Sequence, residues 1–216
     1  MEWIERTKHI KKVELFKSSK DIVKDIIKEM KSKWNRSFLD NRGKIIKSKK
    51  IKSSKLFELL TKLGDRKGYK VYSHGLSEKF INKANENNND VTKFVNREWL
   101  FDLCWYKEDE TFKYSLKSLD LAVESEWINK RKEDKEDPYG GIKYDFQKLL
   151  VANMGLCLMV FKVTKEGREK LSEYFEKVYD IYEGNKTEIL FIAFSTERKR
   201  KDTFYYSYLP KKQKDV

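Results

Sequence analysis

Hydrophobic and polar positions along two stretches of this chain follow the pattern of β-strands. Residues 98–106 and 118–127 are rich in aromatic and aliphatic side chains, which favour extended backbone on a half-buried surface. The segment between them, residues 107–117, is polar and is predicted to be a hairpin connection. Both predicted strands also carry acids, which is unusual for a buried sheet.

Three carboxylates lie within these two predicted strands. Because alternate residues of a strand share a face, Glu124 and Glu126 point the same way, and Asp102 shares a face with Leu100 and Cys104. If the strands are neighbours, the three acids converge on one patch of the sheet. Their mutual repulsion then raises the pKa of at least one of them unless a cation lies between them.

A divalent cation would relieve this repulsion. The available ligands are hard oxygens rather than His or Cys, and such ligands suit Mg²⁺ or Mn²⁺ rather than zinc. The alternative is an edge strand whose acids are solvated, but a stretch as apolar as residues 98–106 makes a poor solvent-facing edge. We therefore expect a Mg²⁺ site, with Mn²⁺ as a substitute.

Other stretches show the spacing of amphipathic helices. Apolar residues recur at helical spacing from residue 21, with a basic outer face, and again from Ser53 or Ser54 until Gly64 or Gly68. Further helices are predicted over residues 77–84, over residues 142–153 and, after the cap Thr164, over residues 165–181.

Four more stretches are predicted to be strands: residues 69–73, 156–163, 188–194 and 203–209. The second and third are nearly continuous apolar runs, as in strands that are buried on both faces. The early strands form a meander and the later ones are joined by helical crossovers. This order predicts an α/β fold with a mixed β-sheet core flanked by helices.

Length and composition are compatible with one sizeable domain. The 216 residues include 13 Phe, 12 Tyr and 5 Trp, which is enough for a substantial core although only 39% of the residues are hydrophobic. We expect a basic helical N-terminal arm over residues 1–52, followed by an α/β domain over residues 53–216.

The charge is concentrated near the N-terminus. The formal net charge is +13, and residues 1–55 carry 18 Lys and Arg against 7 Asp and Glu. Such a basic surface attracts polyanions, so nucleic acid is the expected partner. Residues 35–55 are turn-like, and we interpret them as a phosphate-contacting loop, the alternative being a solvated surface run. The lysines of this loop are Lys44, Lys47, Lys49, Lys50, Lys52 and Lys55.

The cysteines and the hydrophobic runs indicate the cellular compartment that we expect for this protein. Cys104 and Cys157 lie in apolar stretches and are expected to be small buried hydrophobes rather than a disulfide or metal ligands. No hydrophobic run approaches the length of a membrane span, and the N-terminus has no apolar signal core. We therefore expect an intracellular, cytoplasmic protein without a membrane partner.

These elements together resemble the PD-(D/E)xK superfamily of restriction-endonuclease-like nucleases. The resemblance lies in a helix bearing Glu58, a strand, a second strand with Asp102 in Trp-Leu-Phe-Asp, and a third with Val-Glu-Ser-Glu-Trp, followed by a helix and a buried strand. It covers about residues 53–163. It implies a restriction-endonuclease-like domain and Mg²⁺-dependent hydrolysis of phosphodiester bonds.

The resemblance also implies roles for individual residues. Asp102 and Glu124 would hold Mg²⁺, with the Ser125 carbonyl as a further ligand. The superfamily usually has Lys two residues after the first acid of the third strand, whereas this chain has Glu126, as a minority of restriction enzymes do. Either Glu126 helps activate the water or bind a second metal, or the lysine has migrated, with Lys148 as the best candidate.

Two of these roles have plain structural alternatives. Lys148 would steady the nucleophile or the phosphate, but a helix-surface lysine paired with Asp145 or Glu126 fits the sequence equally well. Glu58 is either an auxiliary metal ligand or a helix-surface acid. His74 has no evident partner and receives no role.

The sequence therefore predicts a Mg²⁺-dependent endonuclease that acts on DNA in preference to RNA, with a homodimer as the form suited to cutting both strands of a duplex. The missing third-strand lysine motivates an alternative, a nucleic-acid-binding module on the same fold without catalysis. A third interpretation is a partner-binding protein whose basic arm docks on an acidic protein.

Overall fold

The computed structural model describes residues 1–7, 21–87, 94–95, 99–112, 115–127, 137–152, 154–184, 187–195 and 203–211. The described strands form a mixed sheet against which helices pack, so the fold is α/β as predicted. The elements in chain order are β1 (Ile4–Glu5), α1 (Asp21–Ser37), α2 (Lys49–Arg66), β2 (Lys70–Ser73), α3 (Glu78–Asn87), β3 (Phe94–Val95), β4 (Leu103–Glu108), β5 (Leu116–Glu126), α4 (Gly140–Val151), β6 (Cys157–Val163), α5 (Lys165–Ile181), β7 (Ile189–Ser195) and β8 (Thr203–Leu209).

The chain divides into two compact units, unit I from Asp25–Val123 and unit II from Met1–Lys24 with Glu124–Val216. In unit I the strand order is β3-β2-β4-β5, in which only β3 and β2 are parallel. In unit II the order is β6-β7-β8-β1, in which β6 and β7 are parallel and are connected by α5. The predicted meander and the predicted helical crossover are thus both present.

The core of unit II is built on strands that are buried almost completely. Every residue of β7 and all but one of β6 are buried, as their continuous apolar sequences predict. The Thr164 hydroxyl caps α5 by accepting a hydrogen bond from the Gly167 N–H at 3.2 Å. The rings of Phe146, Phe175 and Phe191 lie 4.6–6.0 Å apart and hold α4 and α5 against the sheet.

In unit I, helix α2 is fixed against β4. The Trp105 indole N–H donates to the Leu60 carbonyl at 3.2 Å. Gly64 permits this approach, because a Cβ atom there would lie 2.7 Å from the indole nitrogen. The indole also stacks on Tyr69, with ring centroids 5.5 Å apart. This packing sets the position of α2, which carries Glu58 near its middle.

The prediction of a loop over residues 35–55 holds for residues 38–48 and is wrong at both ends. Helix α1 continues to Ser37, and α2 begins at Lys49, where the Ser48 hydroxyl accepts a hydrogen bond from the Ile51 N–H at 3.3 Å. Lysine is a favourable helix residue, so a capped lysine-rich segment can extend a helix. Four of the six predicted phosphate contacts are therefore helical: Lys49, Lys50, Lys52 and Lys55.

The predicted boundary between residues 52 and 53 lies inside α2. The preceding helix, α1, has a fully buried apolar face, so it belongs to a packed core. The buried residues of that face are Val23, Ile26, Ile27, Met30 and Trp34. The N-terminal arm stays a prediction, because residues 8–20 lie outside the described residues.

The first strand of the candidate site is shorter than predicted. It begins at Leu103 rather than residue 98, so Asp102 precedes the strand and does not share a strand face with Leu100 and Cys104. The partner of Leu103 is Ser73, the last residue of β2, and the chain then turns at Gly75, which has a φ of 70°. The strand pairing between β2 and β4 therefore ends at Ser73 and Leu103.

Burial of tyrosines on β8 predicts a loss of stability in alkali. Tyr206 has no exposed surface, and burial raises its pKa from 10.0 to about 12. Between these values the folded state keeps the proton that the unfolded state has lost, so stability is complete below about pH 10 and falls as the pH rises towards about 12. We expect the Tyr206 phenol to account for a loss on the order of 2 kcal/mol.

Urea unfolding of the wild type and of Tyr206→Phe at about pH 8 and about pH 11 measures this effect. The variant should lose less stability than the wild type between the two conditions. Tyr205→Phe, on the half-buried neighbour in the same strand, is the matched control. Equal losses in Tyr206→Phe and the wild type would contradict the assignment.

Candidate active site

The acids at the end of β5 are buried rather than solvated. Glu124 is 3% exposed, Ser125 is 8% exposed and Glu126 is 6% exposed. Because the strand continues through Glu126, Glu124 and Glu126 share one face, as predicted, and Ser125 faces the other way. The alternative of a strand with solvated acids is therefore wrong for these residues, and their burial requires compensation of their charge.

Lys148 provides such compensation for Glu124. Its ammonium group forms a hydrogen-bonded ion pair with Glu124 Oε1, and the Glu124 side chain is 4% exposed. Helix α4 holds Lys148 there because Phe146 and Leu149, on the adjoining helix face, are completely buried. The structure pairs Lys148 with Glu124, the first acid of Glu-Ser-Glu, which the sequence analysis did not name as its ion-pair partner.

Asp102 lies at the entrance to β4. In unit I the antiparallel register pairs Leu103, the residue after Asp102, with Val123. The Asp102 carbonyl accepts a hydrogen bond from the His74 N–H at 3.2 Å. The Asp102 side chain is 19% exposed, and its Oδ1 lies 3.8 Å from Nδ1 of His74.

Glu58 is held inside a groove of unit I rather than on an open helix surface. Its Oε1 accepts a hydrogen bond from the Ser77 hydroxyl, and Lys55 lies 3.8 Å from its other oxygen. The side chain is 13% exposed. The helix-surface alternative is therefore wrong for Glu58, and its role as an auxiliary metal ligand stays a prediction.

The part of the chain that the structure describes contains no group of three or more His, Cys, Asp or Glu side chains arranged to hold a metal ion. The carboxylates instead have partners of other kinds, namely Lys148 for Glu124, Lys55 and Ser77 for Glu58, and the His74 imidazole beside Asp102.

No protein-family model, curated protein or solved structure matches this chain. Helices long and apolar enough to cross a membrane are absent from the described ranges. Cys104 and Cys157 are both buried and do not form a disulfide with each other, as predicted.

A groove of unit I is lined by several of the basic residues. Its volume is ≈ 1010 Å³, and it lies between the N-terminal half of α2, the turn after β2 and the start of α3. Lys49, Lys50 and Lys55 line it together with Glu58 and His74. All three lysines are exposed, so their ammonium groups are accessible to a polyanion.

The remaining lysines differ in accessibility. Lys52 is 2% exposed and donates to the Lys47 carbonyl at 3.1 Å, so the prediction that it contacts phosphate is wrong. Lys44 and Lys47 are exposed in the short loop before α2. Asp40 accepts hydrogen bonds from the Lys44 and Arg42 N–H groups at 3.0 and 2.9 Å, which lowers the pKa of Asp40 and fixes this loop.

Sequence reasoning missed His74 and Trp99. His74 follows β2 as an isolated histidine, and only the pairing of β2 with β4 brings it to Asp102. Trp99 is 41% exposed and packs on Tyr72, with ring centroids 5.6 Å apart. Its apolar neighbours predict a strand at this position, whereas Trp99 lies before the start of β4. The local sequence carries no signal for either contact.

Proposed function

We propose that this chain is a Mg²⁺-dependent nuclease that hydrolyses phosphodiester bonds of DNA. The observation that carries the proposal is the buried ion pair between Glu124, near the end of β5, and Lys148 of α4. Acids in such positions are costly unless a cation or a proton balances them. A nuclease centre would explain the carboxylates of Asp102 and Glu124 and the lysine Lys148, because each has a function in such a centre.

The donor atoms suit a hard cation. Glu124 is buried with an ammonium group on one oxygen, so its surroundings already accommodate a positive charge. The carboxylates of Asp102 and Glu124 and the Ser125 carbonyl would be the protein ligands, since Mg²⁺ prefers oxygen and keeps several waters. When bound, Mg²⁺ would lower the pKa of a coordinated water and offset the charge that develops on the scissile phosphate.

The other residues have separate tasks in this proposal. With a cation on Glu124, the Lys148 ammonium becomes available to donate to a non-bridging oxygen of the scissile phosphate. Glu126, on the same strand face, accepts a proton from the attacking water. The side chains are held on a strand and a packed helix, which favours the precision that in-line displacement needs.

The restriction-endonuclease-like form of the fold is part of the proposal. Its support is the order of elements: α2 bearing Glu58, the antiparallel strands β2, β4 and β5, then α4 and the buried strand β6. This is the order in which the superfamily that the sequence resembles arranges its catalytic carboxylates. A homodimer for duplex cleavage belongs to the same proposal.

The groove lysines should bind the nucleic-acid backbone. We expect Lys49→Ala/Lys50→Ala/Lys55→Ala to weaken DNA binding and to reduce the slope of log K against log salt by roughly 2 to 3, since each lost phosphate contact removes about 0.9. Binding titrations in EDTA at several salt concentrations measure this slope. The matched control is Lys165→Ala/Lys170→Ala/Lys177→Ala, which removes the same charge from exposed positions of α5. An equal effect of both triple variants would contradict a specific role for the groove.

A plasmid-nicking assay tests the nuclease proposal. Supercoiled plasmid is incubated with the protein in Mg²⁺, in Mn²⁺ or in EDTA, and conversion to nicked and linear forms is followed. We expect cleavage with either cation and none in EDTA. If plasmid, single-stranded DNA and RNA all stay intact in every condition, the nuclease proposal fails.

The second candidate is a nucleic-acid-binding module without catalysis. Two observations favour it: Glu126 stands where the superfamily usually has Lys, and Lys148 is engaged with Glu124. Such a module would bind DNA with steep salt dependence yet cut nothing in the nicking assay. The two candidates therefore differ in one measured outcome.

A further inference from the structure

His74 carries a polar atom that the rest of the fold leaves unexplained. Its Nδ1 is buried and has no hydrogen-bond partner within the described part of the chain. A buried ring nitrogen without a partner is destabilising, because the lost hydration is not replaced. The imidazole as a whole is 40% exposed and lines the groove of unit I that also contains Glu58.

The imidazole is held beside Asp102 by the backbone and by packing. The His74 N–H donates to the Asp102 carbonyl at 3.2 Å, which fixes the two residues relative to each other. The Phe57 ring lies against the imidazole, with centroids 5.5 Å apart. Nδ1 of His74 then lies 3.8 Å from Oδ1 of Asp102. This separation is too long for a hydrogen bond.

The separation is close to that of two ligands of one metal ion. Donor atoms about 2.1 Å from a cation, at angles of roughly 90 to 120° to each other, lie about 3.0 to 3.6 Å apart. A shift of a few tenths of an ångström in either side chain would bring Nδ1 and Oδ1 into this range. Both atoms belong to unit I.

We propose that Nδ1 of His74 and the Asp102 carboxylate bind the same divalent cation, and that this nitrogen ligand makes the site prefer first-row transition-metal ions to Mg²⁺. The inference rests on the proposed nuclease function for the identity of the centre and changes its cofactor. Imidazole is a poor ligand for Mg²⁺, which favours oxygen, and a good one for transition metals.

Mn²⁺ is the probe that tests this inference. Electron spin-echo measurements of Mn²⁺ bound to the full-length chain detect a directly bonded ¹⁴N nucleus, and titrations give the Mn²⁺ and Mg²⁺ affinities. We expect a ¹⁴N signal, and we expect His74→Ala to remove it and to weaken Mn²⁺ binding at least about tenfold while changing Mg²⁺ binding less than about twofold. Asp102→Asn should weaken the binding of both cations.

The chain provides a matched control. Its one other histidine is His9, and His9→Ala should keep both the ¹⁴N signal and the Mn²⁺ affinity. If His74→Ala fails to fold, as judged by circular dichroism, the signal in the wild type and in His9→Ala decides the question by itself. Absence of ¹⁴N coupling in both proteins, or its loss in His9→Ala, overturns the inference.

The outcome can be separated from that of the nuclease proposal. A ¹⁴N signal without cleavage of any nucleic acid would leave His74 as a metal ligand and remove the nuclease function. Cleavage that depends on Asp102, with no ¹⁴N signal, would keep the nuclease and overturn the role of His74. An ion pair between protonated His74 and Asp102 gives no ¹⁴N coupling to Mn²⁺, so it belongs to the second outcome.

Discussion

Replacing Asp102 with Asn is expected to abolish metal-dependent cleavage, with a loss of rate of roughly a thousandfold or more. The substitution keeps the shape of the side chain and removes its negative charge, so the cation loses a ligand on which its affinity and position depend. Glu124→Gln should have an effect of the same size. The rate of plasmid nicking under saturating Mg²⁺ or Mn²⁺ measures both.

The control for these variants is another acid of β5. Asp120 accepts a hydrogen bond from the Ser118 hydroxyl at 2.5 Å and has no task in the proposal, so Asp120→Asn should cleave at the wild-type rate. DNA binding in EDTA should change less than about threefold in Asp102→Asn, because the groove lysines carry the electrostatic affinity. Near wild-type cleavage by both Asp102→Asn and Glu124→Gln would remove the metal assignment.

Much of unit II could be predicted because its signals are local. The apolar runs of β6 and β7 indicate strands with both faces covered, and Thr164 marks the start of α5 through its own side chain. The burial of Glu124 and Glu126 was also foreseeable, because acids inside a continuous apolar strand share its environment.

The candidate site could be predicted only in part because its remaining features depend on partners distant in sequence. Strand β4 begins at Leu103, opposite the last residue of β2, Ser73, and the apolar residues that precede Leu103 lie outside the strand. The position of His74 beside Asp102 follows from the same pairing. The two-residue strands β1 and β3 are too short to show periodicity, and only their neighbours define them.

The ion pair between Lys148 and Glu124 also depends on tertiary packing that the sequence does not reveal. On α4 the sequence places Lys148 one turn from Asp145, which suggests a pair within the helix. In the structure its ammonium group reaches Glu124 on a strand, because the packing of Phe146 and Leu149 sets the rotation of the helix. The sequence pattern of a helix shows which of its sides is apolar. It does not show which polar group of the sheet lies beside that side.

Replacing Lys148 with Met should lower the free energy of unfolding by about 3 kcal/mol, because the buried Glu124 carboxylate loses the ammonium group that offsets its charge. This expected loss lies at the lower end of the range for removing one partner of a buried ion pair, because the Lys148 side chain is 31% exposed. Lys143→Met is the matched control on the same helix. Its ion pair with Asp137, at 2.7 Å, is more exposed on the acidic side, so a loss below about 1 kcal/mol is expected.

A double substitution separates the ion pair from the packing of the lysine stem. Glu124→Gln/Lys148→Met removes both charges. We expect its free energy of unfolding, measured in urea, to lie within about 1 kcal/mol of the wild-type value. A bound divalent cation should stabilise Lys148→Met more than it stabilises the wild type, because the ammonium group no longer competes for the Glu124 oxygen. If Lys148→Met is as stable as the wild type and gains nothing from Mg²⁺ or Mn²⁺, then Glu124 needs no cation, and the argument for a metal at this end of β5 loses its basis.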